Sequence, residues 1–557
     1  MTAVEQRTIE TVGDIVARAL ADIGVVCVFG VISIHNMPIL DAIARQGRIR
    51  FVPARGEAGA MSMADAYARV SRHLGVCVTS TGTAAGNAAG AQVEALTAGS
   101  RVLHITSQID REFMDRDRAA IHDVPRQPDM LRAVSKRYVR IWDGNGAAGA
   151  IMAAINAALD APSGPVSLEI PIDVQRDTAH GPARFALAPP LVRPPAPDLV
   201  DTLAAMIGKA RRPMLWLGGG AHGASKEATE LLARGFCAVA STNGRAVVPD
   251  RGDRSLGAFN MTPEAQAIYD RCDLMIVVGS RLRGNETRNN KLRLPSPLVQ
   301  IDADDTQAGR NYPVDLFIGA DAAATLSAVL GKLPARLDVD AQFAGEVTAA
   351  RTRGEAALAK GLGPYRLLAD TLNDRVLAGR HAWVRDVTIS NSTFGNRYVG
   401  FAAPHLGVHA LGGGIGMGVA MAVGAALAEP GVKTVALLGD GGTMLGMSEL
   451  MTAVEAEASI VYVLMNDQAY GVIRNIQDAQ YGSRHHYSAL RTPNFALLCQ
   501  SMGLAHERVD RIEDFPTAFD RALARPGPIM LEIDMVAIGP FTDKFGGPPA
   551  GAAGGQR

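Results

Sequence analysis

The chain has 557 residues, with 55 Lys and Arg against 56 Asp and Glu and 48% apolar residues. That length exceeds what one core supports and predicts about three domains, with apolar content enough to fill several interiors. The balanced and scattered charge excludes the basic footprint of a nucleic-acid binder and any patch for anionic membrane. The cysteines Cys27, Cys77, Cys237, Cys272 and Cys499 stand far apart, mostly in apolar runs, without C-x-x-C spacing. They predict buried free thiols and a cytoplasmic protein. Residues Met1 to Arg7 hold no apolar stretch, so no secretory signal is expected.

In chain order, short apolar runs at 25–29, 76–79, 102–105 and 166–170 alternate with helix-like segments, a parallel α/β pattern. His35 lies on the loop after the first run. Glu57 follows Pro53-Ala54-Arg55-Gly56 and opens a helix, where the dipole favours an acid. The small-residue stretch from Thr79 through Gly82 to Asn87 and the segment Ile121-His122-Asp123 follow, His122 being of a type that titrates near neutral pH. A Pro-rich linker occupies 189–197. A second block has strands at 214–217, 274–278 and 298–302, with Gly218-Gly219-Gly220 ending the first in nucleotide-fold manner, a weak signal alone. A polar Ala/Arg-rich connection spans 334–362, and the Gly/Pro/Ala-rich tail beyond 545 is expected to be mobile. The uncharged stretch 411–428 is long enough for a membrane span, but its Gly and Ala favour a tightly packed interior helix.

The third block carries the most informative feature. Residues 435–438 and 460–465 are β-branched apolar runs, predicted as buried parallel strands, and Asp440 and Asp467 follow their C-terminal tips. Open α/β sheets bind ligands there, so both carboxylates are expected to face one crevice. Gly439 and Gly441 leave Asp440 on a tight turn that a phosphate can approach while the carboxylate takes a hard cation.

The run from Gly439-Asp440-Gly441 to Asn466-Asp467 resembles, without a gap, the G-D-G…N-N signature of thiamine-diphosphate enzymes. The resemblance covers nearly the whole chain and points to the superfamily of acetolactate synthases and 2-oxo acid decarboxylases. It implies an α/β fold of three doubly wound parallel-sheet domains: pyrimidine-binding at 1–185, central Rossmann-like at 199–335 and diphosphate-binding at 363–545. It implies that Mg²⁺ is held by Asp440, Asp467 and the carbonyl of Ala469, Asp467 standing where the family usually has Asn. Gly442, Tyr470, Gly471 and Val472 join Gly439 and Gly441 as implied cofactor contacts, with Ser390, Asn391 and Ser392 beside them.

By the same resemblance Glu57 matches the glutamate that hydrogen-bonds N1′ of the aminopyrimidine and so drives proton removal from thiazolium C2. The His commonly before it is Gly56 here. Gly82 and Asn87 fall on the loop T-S-G-P-G-A-T-N of acetolactate synthases, whose Pro is Thr83 here. Gly413 and Ile415 align with the segment whose bulky aliphatic residue sits under the cofactor and bends it. His122 is implied in proton transfer or substrate anchoring, with His35 second. The segments around both are similar to a branch that includes guanidino-oxopentanoate decarboxylases. Ile473 replaces the glutamate of pyruvate decarboxylases, so that proton relay is absent. Gly279-Ser280-Arg281-Leu282-Arg283-Gly284-Asn285 lacks the acidic pair of flavin-binding acetolactate synthases, so FAD is not expected.

The activity implied is decarboxylation of a 2-oxo acid, or carboligation to an aldehyde or second 2-oxo acid, through a C2 carbanion; the cofactor carries the difficult chemistry. Partners implied are these small molecules and further copies of the chain, as a homodimer or homotetramer, with no nucleic acid or membrane. Two other readings stand beside this one: an acetolactate synthase condensing two pyruvates, possibly with flavin, and a non-catalytic cofactor-binding regulatory subunit. Glu57, Asp440 and Ile415 argue against the latter. A nucleotide-binding module lacks its G-x-x-x-x-G-K-[ST] loop.

Overall fold

A computed structural model describes residues 10–546. Met1 to Arg7 and the tail from 547 onward lie outside the described residues, so the expectations placed on them concern segments the structure does not describe. Three open sheets, each parallel throughout, follow one another along the chain. In the first the spatial order is Arg50–Pro53, Cys27–Gly30, Gly75–Thr79, Val102–Gln108, Val166–Pro171, Arg137–Arg140. The third repeats that order with Gly407–His409, Ala382–Arg385, Thr434–Gly439, Ile460–Asn466, Ile529–Asp534 and Ala505–Val509. In both, the strand order reverses between the first and third strands of the block, and that reversal opens a crevice at their C-terminal ends. The central sheet runs Cys237–Ala240, Pro213–Leu217, Leu274–Val278, Leu298–Asp302, Leu316–Gly319.

All the strands expected from apolar runs are present, the first displaced to Cys27–Gly30. The edge strands of all three sheets escape a search for apolar runs, because an edge is half solvated or short: Arg50–Pro53 and Ala505–Val509 are largely exposed or half-buried. All five cysteines are buried and free. Of the stretch 411–428, residues Gly418–Ala428 form a helix that is almost wholly buried. Among the described residues no helix is long and apolar enough to cross a membrane.

That buried helix joins the first and third domains. It packs on the helix Glu57–Ser71 within one core that mixes Ala60, Ala64 and Ala68 with Ala422, Val423 and Ala426. A Cβ added at Gly424 would lie 2.1 Å from the carbonyl oxygen of Met63, so the backbones meet with no side chain between them. The start of the Glu57 helix is tethered as well: Arg55 N–H donates to both oxygens of Glu449, at 3.1 and 3.2 Å. Gly59 leaves room for that carboxylate, which would stand 2.2 Å from a Cβ there. Gly424→Val is therefore expected to force the helices apart and cost about 1–3 kcal/mol. A lower thermal unfolding midpoint than wild type checks it; an unchanged midpoint contradicts the contact.

Candidate active site

The crevice of the third sheet is a cavity of about 350 Å³, within the range of small-molecule sites. Its walls are Val387, Thr388 and Ile389 after one strand, Gly439 to Gly442 after the next, Asp467 and Ala469 to Ile473 after the third, and Gly413 and Ile415. Of the expected contacts, Gly413, Ile415, Gly439, Asp440, Gly441, Gly442, Asp467, Ala469, Tyr470, Gly471 and Val472 line it. Ser390 and Asn391 do not: both are buried, Ser390 capping and Asn391 opening a turn of π-helix, and the three residues before them form the wall instead. The strand Ala382–Arg385 had not been expected, so the register of the following loop was legible only to within a few residues.

Asp440 is not on a free turn but is the first residue of a short helix, capped by Gly439. One of its oxygens accepts from Gly441 N–H at 2.9 Å, and the other, Oδ2, is buried without a partner. The Asp467 carboxyl lies beside that of Asp440. Burial first, and for Asp467 the charge of Asp440 second, hold both carboxyls above the ordinary range. Two converging carboxylates, one with an orphaned oxygen, are the donor set a hard divalent cation takes, and the site fits such an ion. The glycines serve close approach: a Cβ at Gly441 would meet the Tyr470 ring at 2.6 Å, and one at Gly442 the Asp386 carboxylate at 2.6 Å.

Sequence reasoning missed two carboxylates behind this wall. Asp386, buried at the end of its strand, accepts from Gly416 N–H at 3.1 Å, and burial pushes its carboxyl up to about 6. Glu94, from a helix of the first domain, accepts from Gly412 and Gly414 N–H at 2.6 and 2.7 Å. Asp386 follows a strand tip, a signal available in principle. Nothing local marks Glu94.

The crevice of the first sheet gathers the other candidates. His35 follows the strand Cys27–Gly30, and Gly82 follows Gly75–Thr79. The His35 and His122 rings meet edge to face with centres 5.4 Å apart. Burial, and then His122, lower the His35 pKa, opposed by Asp110. Gly82 has φ +65°, and a Cβ there would come within 2.3 Å of the His122 carbonyl oxygen. Its N–H donates to Gln127 Oε1 at 2.7 Å, and Gln127 Nε2 donates to buried Glu169 at 2.6 Å. Asn87 lies inside the helix Thr83–Ala98, not on a loop, and donates to Glu57 at 3.1 Å. The cavity at Asp440 is lined by none of these first-domain residues.

Gly82→Ala combines a strained φ with a collision against backbone. It is expected to displace His122 and to cost about 1–3 kcal/mol. Side-chain NMR signals of labelled histidine should move for His122, and unmoved signals with unchanged stability contradict the contact.

Sequence models of the thiamine pyrophosphate enzyme family match the chain in three places: the N-terminal TPP binding domain over 10–130, the central domain over 200–329 and the C-terminal TPP binding domain over 389–533. The chain is 29% identical over 538 residues to "Probable 2-ketoarginine decarboxylase AruI" of Pseudomonas aeruginosa, covering 95% of this chain and 94% of that protein. It is 25% identical over 569 residues to "Acetolactate synthase 2, chloroplastic" of Zea mays, covering 93% and 84%. A chloroplastic acetolactate synthase of Brassica napus is 26% identical over 544 residues, again covering 93% and 84%. With the three family domains matched in order, each on its own parallel sheet, the chain belongs to the thiamine-diphosphate-dependent enzymes of the acetolactate synthase and 2-oxo acid decarboxylase superfamily.

Proposed function

We propose that the protein is a thiamine-diphosphate- and Mg²⁺-dependent 2-oxo acid decarboxylase or carboligase. The observation that carries this reading is the orphaned Asp440 Oδ2 beside a second carboxyl, Asp467, with both residues lining the third-domain cavity. Asp440, Asp467 and the Ala469 carbonyl hold the cation, and Gly439, Gly441 and Gly442 admit the diphosphate. Thiamine diphosphate, when bound, supplies the electron-accepting centre on which a 2-oxo acid loses carbon dioxide. Ile415, 38% exposed on the cavity wall, presses on the cofactor from its loop. Glu57, oriented by Asn87, holds a proton at the pyrimidine N1′. His35 and His122 face the substrate and move protons there.

Asp440→Ala and Asp467→Ala are each expected to weaken thiamine diphosphate binding in the presence of Mg²⁺ by about a hundredfold or more, because the diphosphate is held mainly through the ion. Isothermal calorimetry measures it, and wild-type affinity in both variants removes the clamp. Carbon dioxide release from a panel of 2-oxo acids, with and without an aldehyde, separates decarboxylase from carboligase. The relatives include a protein named as a probable 2-ketoarginine decarboxylase as well as acetolactate synthases, so the panel runs from pyruvate to a guanidino 2-oxo acid. A yellow purified protein would favour the flavin-containing acetolactate synthase reading.

The complete site is proposed to form between two copies of the chain. Glu57 is not among the residues that line the Asp440 cavity of its own chain, which supports this arrangement. So do Ile32, Ile34, Met37 and Ile121, apolar and exposed around His35 and His122, an array that a second subunit would cover. Mixing inactive Glu57→Gln and Asp440→Ala proteins under conditions of subunit exchange is expected to restore up to about a quarter of the wild-type activity, since some mixed dimers regain one intact site. No recovery despite verified exchange, or an active monomer in light scattering, refutes it.

A further inference from the structure

Helix Thr83–Ala98 carries two polar residues seven positions apart, Asn87 and Glu94, and that spacing sets them two turns apart on one face. Asn87 bonds Glu57 within the first domain. Glu94 reaches into the third. Its two oxygens accept from the backbone of Gly412 and Gly414, the residues on either side of Gly413, at the start of the loop that carries Ile415. Only 4% of Glu94 is exposed. A Cβ at Gly412 would lie 2.7 Å from Glu94 Oε1, and one at Gly414 2.9 Å from it, so the glycines admit the carboxylate. On the far side of Ile415 the Gly416 N–H goes to Asp386. The loop is thus pinned on both sides of Ile415, by one carboxylate of its own domain and one from another.

We propose that Glu94 is a positioning residue that sets the posture of the Ile415 loop from the first domain. This rests on the reading of Ile415 as the side chain that presses on thiamine diphosphate. A carboxylate offers an acceptor to each glycine N–H. Glutamine offers one oxygen and one NH₂, so in Glu94→Gln one glycine N–H faces a donor and the loop is released on that side.

Hydrogen exchange of the cofactor-free protein, read on peptides covering 410–418, tests the bond directly. Glu94→Gln is expected to exchange about tenfold faster there, while peptides from the strand Thr434–Gly439 keep wild-type protection. Cofactor affinity tests the consequence. Glu94→Gln should weaken thiamine diphosphate binding about tenfold in wild type but by less than about twofold in an Ile415→Ala background, since an effect acting through Ile415 disappears with it. Wild-type protection of 410–418 in Glu94→Gln overturns the proposal, as does an equal loss of affinity in both backgrounds. If Glu94→Gln does not fold, Glu94→Asp, which withdraws the oxygens by one methylene, is put to the same two measurements with the same expected and overturning results. A wild-type chain that binds no thiamine diphosphate refutes the reading of Ile415 instead, and the exchange measurement still decides the Glu94 contact.

Discussion

The contact on which the rest depends is the close approach of the helices Glu57–Ser71 and Gly418–Ala428. With the Met63 carbonyl against Gly424, the first and third domains of a chain are joined backbone to backbone, with no layer of side chains to yield. Packing at that density transmits position over long distances, because interiors are close-packed and resist compression. The Glu449 carboxylate adds direction to the apolar contact by holding the backbone just before Glu57. Burial holds the Glu449 carboxyl above its ordinary range, and its hydrogen bonds to Arg55 and Thr452 oppose that shift.

From that junction the positions of both crevices follow. Each lies where its sheet reverses strand order, and each collects chemistry-bearing side chains from loops that are distant in sequence. His35, Gly82 and His122 meet at the first, and Asp440, Asp467 and Ile415 at the third. At the third crevice burial raises the pKa of both carboxyls, and for Asp467 the charge of Asp440 adds to it. A divalent ion between them would offset that charge.

Glycine recurs at these places for one physical reason. At Gly59, Gly412, Gly441 and Gly442 the space a Cβ would occupy is taken by Glu449, Glu94, Tyr470 and Asp386. The glycine-rich stretches that look in sequence like phosphate loops are therefore also sockets for side chains from elsewhere in the fold. Only part of their composition answers to a ligand.

The sequence by itself determined the three α/β blocks, the interior strands other than Ala382–Arg385 and Ile529–Asp534, and the pairing of Asp440 with Asp467 beyond neighbouring strand tips. These follow from local information: β-branched apolar runs, the length of a strand and helix, and glycine beside an acid at a strand end. Its edge strands were illegible because they are half-solvated or, like the buried Cys237–Ala240, too short to form a distinct apolar run. Ser390 and Asn391 were displaced from the cavity wall by an unrecognised strand before them. Only the tertiary structure decided that Glu94 and Asp386 grip the Ile415 loop and that Gln127 and Glu169 hold the turn at Gly82. Each of these joins residues far apart in the chain, and no periodicity or spacing encodes such a contact before the domains have packed.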